Sequence, residues 1–172
     1  MAQQLGLPIR YFIASNNENN VVIEYLKTQL YNPKPTVPTI SNAMDVGDPS
    51  NFIRIQEIYK NKFVTLKDNV SSFRFSDDKT KAAMLKLYSN HNYAANPHRT
   101  AGYLDCKAFL EKNPNAHCVF LEMAHPTQFL DVVAKVINTK QSLPPQIQSV
   151  MVKDKVATTI SSYENFKEYL LI

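Results

Sequence analysis

Glycine is scarce in this 172-residue chain, with three in all. Phosphate- and cofactor-binding loops depend on glycine, because only a residue without a Cβ lets the backbone come close to a phosphate. Neither a GxGxxG fingerprint nor a Walker loop is present. If the chain belongs to a cofactor enzyme, the loop that holds the cofactor phosphate lies elsewhere. Cysteine is as sparse: Cys106 and Cys118 are two thiols without metal-ligand spacing, the usage of a reducing compartment and of small core residues, and no metal site is expected. No apolar run comes near the roughly 18 residues of a membrane span. The start, Met1 to Gly6, lacks the basic and apolar regions of an export signal, so a soluble, cytoplasmic protein without a membrane partner is expected.

What is there is ordinary globular material. Apolar residues make up 44% and charged residues 20%, which excludes a disordered tail as the main theme. The net charge of +4 does not gather into a patch; the densest basic stretch, Lys60, Lys62 and Lys67, is broken by apolar residues, and no nucleic-acid partner is expected.

The pattern alternates strands with helices, so an α/β class with parallel strands is expected. Ile9, Tyr11, Phe12 and Ile13 read as a strand, the polar run Ser15 to Asn20 as a turn, and Val21, Val22, Tyr25, Leu26 and Leu30 as one helix face. A polar turn at the carboxyl end of a parallel strand is where open α/β sheets bind ligands. The prolines of Tyr31 to Pro38 impose an extended connection. Phe63 to Arg74 has no clear pattern, and Phe73 to Phe75 reads as an edge strand or a loop. Ser76-Asp77-Asp78 starts a helix that ends before His91, and Asn96-Pro97-His98 caps another. Ala116 to Leu121 has the length and apolarity of a buried parallel strand, with His117 packed at its start. His125-Pro126 then opens a helix carrying Phe129, Val132, Val133, Val136 and Ile137. Beyond a Leu143-Pro144-Pro145 linker, Val156 to Ile160 reads as a short strand. Ser161 to Glu164 reads as a capping box for a final helix, Asn165 to Leu171.

One stretch is more specific. In Thr39-Ile40-Ser41-Asn42-Ala43-Met44-Asp45-Val46-Gly47-Asp48-Pro49-Ser50-Asn51-Phe52, small polar residues run into Asp48, expected as an N-cap, and Pro49, expected to open a helix whose free amides suit an anion. Continued through Arg54, it resembles the T-x-S-N-A-M-D-[IV]-x-x-P-S-N-[FW]-x-R block of threonine synthase. Three further blocks are similar to that family: Tyr11 to Val22, with Asn17 and Asn19 at its asparagines; Asn96-Pro97-His98-Arg99-Thr100-Ala101-Gly102-Tyr103; and the Ala124-His125-Pro126 turn.

The resemblance runs from about Leu5 to the end and implies the carboxyl-terminal part of a fold-type-II pyridoxal-phosphate enzyme, spanning residues 1–172. It implies an enzyme that converts O-phospho-L-homoserine and water to L-threonine and phosphate, with the cofactor lysine and phosphate loop in a missing amino-terminal half. The chain alone is then expected to be inactive, and a truncated copy serving as an interaction module is the alternative. Residues implied at the substrate wall are Ser41, Asn42, Asp45, Ser50, Asn51, Arg54 and His98; for Arg54 a solvated surface position, and for His98 a structural one, are the competing readings. Met123 falls where the family's threonine would face the pyridine nitrogen, and Gln128 where a lysine is usual. Asn16 and Asn20 replace a threonine and an aspartate of the family's pattern.

Overall fold

The computed structural model describes residues 2–139 and 142–171, which form two compact units, 1–141 and 142–172. The first unit is α/β. Strand β1 (Phe12–Asn16) leads through the asparagine turn into helix α1 (Val21–Thr28), and a long connection reaches α2 (Phe52–Ile58) and α3 (Phe63–Asn69). Strand β2 (Val70–Arg74) then returns parallel to β1, pairing Phe12 with Val70, Ala14 with Ser72 and Asn16 with Arg74. Helices α4 (Asp77–His91), α5 (Pro97–Lys112) and α6 (Leu130–Ile137) follow.

Two apolar clusters hold this unit. Tyr25, Leu26, Phe52, Leu66 and Val70 pack beneath the strand pair, with Tyr25 meeting Phe52 and Phe63 edge-on at centroid distances of 5.0 and 5.5 Å, the arrangement ring quadrupoles favour. Met84, Phe129, Val133 and Ile137 join α4 to α6. Helix starts follow the expected chemistry at two places: the Ser76 hydroxyl accepts from Lys79 N–H at 3.4 Å, and the Asn96 side chain accepts from Arg99 N–H at 2.9 Å.

Several expectations are corrected. Phe63 to Arg74 is a helix followed by a strand; the polar Ser71 and Ser72 hid a strand that β1 stabilises from far along the chain. The strand containing Ile9 and Tyr11 begins only at Phe12, where pairing begins. Helix α4 includes His91, because Asn92 (φ 50°) takes the left-handed conformation that ends it. Asp48 does not cap a helix: its carboxylate accepts the Tyr31 hydroxyl at 2.7 Å, and α2 starts later, at Phe52.

The largest correction concerns Ala116 to Leu121, which is extended but joins no strand among the described residues. His117 is exposed, and Val119 and Leu121 are 87% and 77% exposed. Met123 is 77% exposed as well. From 117 to 123 no backbone N–H or C=O has a partner among the described residues. Phe120 faces α5: a Cβ on Gly102 would stand 3.1 Å from Phe120 Cβ, and Tyr103 meets Phe120 with ring centroids 6.4 Å apart.

The second unit holds α7 (Pro145–Met151) and α8 (Tyr163–Leu170). Ser162, rather than Ser161, caps α8, its hydroxyl accepting from Asn165 N–H at 3.1 Å. Val156 to Ile160 is no strand; Val156 is almost fully exposed. Among the described residues no helix is long and apolar enough to cross a membrane.

Candidate functional site

The polar turn after β1 is the natural place for a site, and buried polar groups gather there. Asn16 and Asn17 are both buried at the carboxyl end of β1, and Ser41 is buried across from them. Asp45 is the hub. One of its carboxylate oxygens accepts from Asn17 Nδ2 at 2.8 Å, Thr39 Oγ1 at 2.6 Å and Asn19 Nδ2 at 3.3 Å; the other accepts from Thr39 N–H at 2.8 Å. Asn17 Nδ2 also lies 3.0 Å from Thr39 Oγ1 and 3.2 Å from Ser41 Oγ; with two hydrogens to share among three acceptors, it chooses between them. Asn19 closes the ring from outside, donating to Val37 C=O at 2.9 Å and accepting from Val37 N–H at 2.8 Å.

The loop from 37 to 45 is therefore wrapped on side chains, because it has no ladder to satisfy its own backbone. A second anchor is Asp77, the first residue of α4, whose carboxylate accepts from Ile40 N–H at 3.2 Å. Asp77 reads in sequence as an ordinary first-turn acid, so nothing local marked this role. Thr39 was likewise unmarked, and only its place inside the quoted block points to it.

His98 enters from the second position of α5. Its ring packs on Phe129 at 4.8 Å, and its Nε2 is buried without a hydrogen-bond partner among the described residues. Burial pulls its pKa down, and the nearby Asp45 charge opposes that only in part, so the neutral imidazole is favoured. Deeper along the same helix, Asp105 is 1% exposed, and neither carboxyl oxygen has a well-formed bond among the described residues. Desolvation pushes its pKa up to about 7, and the neighbouring Ser15 hydroxyl opposes this only in part. Sequence reading passed over Asp105, whose spacing of seven from His98 puts both on one face of α5.

The structure thus brings Ser41 and Asp45 together and places His98 within electrostatic reach of them. Asn42 is exposed in the short turn 42–44 and contributes its carbonyl to Asp45 N–H at 3.1 Å. Ser50, Asn51 and Arg54 are exposed around the start of α2, and no side-chain bond joins them to the cluster among the described residues. Met123 stands on the solvent side of the unpaired segment, whose inner side is tied to α5: Glu122 meets Arg99 at 3.0 Å, and Asn96 donates to Ala124 C=O at 2.7 Å. Among the described residues no cluster of metal-ligating groups occurs.

No family model matches the chain. It is 36% identical over 172 residues to a threonine synthase of Buchnera aphidicola subsp. Baizongia pistaciae, an alignment that takes in 99% of this chain and 39% of that protein. The crystal structure of threonine synthase from Escherichia coli superposes with a TM-score of 0.83 at 29% identity, over 99% of this chain and 39% of that one. A pyridoxal-phosphate-bound threonine synthase from Brucella melitensis has the same fold, with a TM-score of 0.77 at 22% identity and 41% of its length covered. The chain therefore spans about two fifths of the length of the relatives it matches, and the α/β fold expected for it is the fold of those enzymes over that part.

Proposed function

We propose that this chain, homologous along its whole length to the carboxyl-terminal part of threonine synthases, forms the substrate wall of an enzyme that makes L-threonine and phosphate from O-phospho-L-homoserine and water. The observation that carries this reading is the side-chain network on Asp45, built from the residues that match the family's blocks and set beside a histidine whose Nε2 is unspent.

The division of labour follows from the bonding. Four donors occupy the Asp45 carboxylate, so Asp45 positions the loop and is not itself free to take up substrate. Ser41 and Asn42 are presented by that loop. His98, held neutral, is the group of this chain suited to keeping or passing a proton at the departing phosphate oxygen or at the attacking water. Ser50, Asn51 and Arg54 are proposed as outer-wall residues that reach substrate only in the complete enzyme.

Pyridoxal phosphate is the cofactor of the proposed enzyme, where it supplies an electron sink for the substrate carbons. The residues of this chain do not fit its ring: Met123 offers a thioether that accepts weakly and cannot donate, and the Asp45 network contains no lysine. The cofactor contacts, the attachment lysine included, are therefore assigned to the remaining three fifths of such an enzyme. That part is the proposed partner, pairing with the free edge at 117–123, and the chain alone is proposed to be inactive. A cytoplasmic setting, without nucleic-acid or membrane partners, goes with this reading.

The test is reconstitution. The chain is co-expressed with the amino-terminal part of the Escherichia coli threonine synthase, and phosphate release from O-phospho-L-homoserine is measured. Release by the pair and not by either part is expected, with His98→Ala lowering kcat. Co-purification without turnover would favour an interaction module, the reading that the Met123 and Gln128 departures suggest. A borohydride-trapped pyridoxal adduct at one lysine of the isolated chain would overturn the division of labour.

A further inference from the structure

Helix α5 and the extended segment after it run against each other in a regular register. Asn96 bonds Ala124, Arg99 meets Glu122, and Gly102 faces Phe120. Each step moves three residues along the helix, roughly 4.5 Å, and two residues back along the segment, roughly 6.6 Å. A further step sets Cys118 opposite the turn of α5 that holds Asp105 and Cys106. Cys118 is also among the neighbours that, after burial, raise the pKa of Cys106, and both thiols are free.

We propose that Cys106 and Cys118 are a modification site, closing to a reversible disulfide on exposure to a low-molecular-weight disulfide of the glutathione class. This was not legible from the sequence, where eleven intervening residues gave the pair no recognisable spacing, and it stands independently of the enzyme reading. Cys118 is the half-exposed partner and Cys106 the buried one. The Cys118 thiolate attacks one sulfur of the reagent, releasing one small thiolate and leaving a mixed disulfide. The Cys106 thiolate then attacks the Cys118 sulfur and releases the second. In sum the two protein thiols lose two electrons and two protons, and the reagent becomes two thiols.

Burial, the neighbouring Cys118 and the nearby Asp105 push the Cys106 thiol up to about 11, so the second step is the slow one at neutral pH. Its rate should rise about tenfold for each pH unit until Cys106 ionises. The groups facing Cys106 are Asp105 on its own helix and Cys118 on the segment.

The experiment treats the folded full-length chain with oxidised glutathione at mildly alkaline pH, quenches with acid, alkylates the remaining thiols and maps the peptides by mass spectrometry. The expected product has lost two hydrogens and yields one cross-linked peptide pair containing Cys106 and Cys118, while Cys106→Ser stops at glutathione on Cys118. Wild-type protein that stops at that same mixed disulfide, keeps both thiols alkylatable, or links only between chains overturns the proposal. Should the Cys106→Ser variant fail to fold, the wild-type peptide map decides alone.

Discussion

Two stretches of this chain have the same plan, a strand-like run followed by a polar turn and a helix, and they end differently. Phe12–Asn16 lies beside Val70–Arg74 and is a strand; the run from Ala116 to Leu121 is more apolar, yet is only extended backbone with its outer face in water. Apolarity and β-branching did not decide the matter. A neighbour did, because a strand's backbone groups are satisfied only by another strand. One side of 116–123 touches α5 through Phe120 and Glu122, so what this segment lacks is a partner in its plane, where edge strands ordinarily find one.

The widest gap between the two stretches should appear in hydrogen exchange. Backbone amides of 12–16 that enter the ladder should be slowed about a thousandfold or more, while those of 117–123 exchange within about tenfold of an unstructured chain. Equal protection would mean that 117–123 is paired in solution. Binding of the amino-terminal part of a threonine synthase should slow 117–123 selectively, which would sharpen the comparison.

Substitution should repeat the contrast in stability. Leu66→Ala, beneath the paired strands, should cost about 3 to 5 kcal/mol in urea unfolding. Leu121→Ala should change the isolated chain by less than about 0.5 kcal/mol. A large loss from the second substitution would show that the free face is covered.

Next is the pH dependence set by Asp105, which lies between the two stretches, near Ser15 at the end of one and near Cys106 facing the other. Its folded pKa, about 7, is above the ordinary 3.8, so the native state binds the extra proton. Stability should therefore fall as pH rises from about 4 to 7. Asp105→Asn should remove about 2 kcal/mol of that fall, roughly half of what the full displacement implies once water penetration is allowed for. His98 works in the opposite sense: its pKa is lowered, and the stability tied to its neutral form is lost as pH falls below the ordinary value of 6.5. An unchanged slope in Asp105→Asn would mean that the carboxyl is solvated.

The smallest effect is expected in the second unit. Ser162→Ala should reduce the helicity of α8 by circular dichroism, at a cost of about 1 kcal/mol to that helix, and leave exchange in both stretches unaltered.

Where local chemistry is sufficient, the elements were legible in the sequence. Ser76 and Asn96 announced their helices, and the asparagine turn is marked as a ligand crevice by its place after a strand. Long-range pairing was not legible. Ser71 and Ser72 look like loop residues until Ile13 and Ala14 lie beside them, and Ala116 to Leu121 looks like a core strand although no strand among the described residues pairs with it. Asp48 shows the same limit on a smaller scale: a good cap by type, it is claimed by a tyrosine seventeen residues earlier. The wall residues Ser41, Asp45, Ser50, Asn51 and Arg54 all rested on the family block; the structure joins Ser41 and Asp45 in one network, and Ser50, Asn51 and Arg54 stand apart from it.

Gly47 fixes one more property of the loop that Asp45 organises. Its carbonyl accepts from Lys34 N–H at 3.0 Å, its own N–H donates to Thr36 Oγ1 at 3.1 Å, and a Cβ there would overlap the Lys34 carbonyl oxygen. The chain between 34 and 47 is therefore a noose drawn tight at its neck, where two backbones touch with no room for a methyl group. Residues inserted toward the exposed part of the noose, around Asn42 and Ala43, would change its circumference and leave the knot in place. A side chain at the neck would force the two backbones apart, so Gly47 sets how tightly the noose closes.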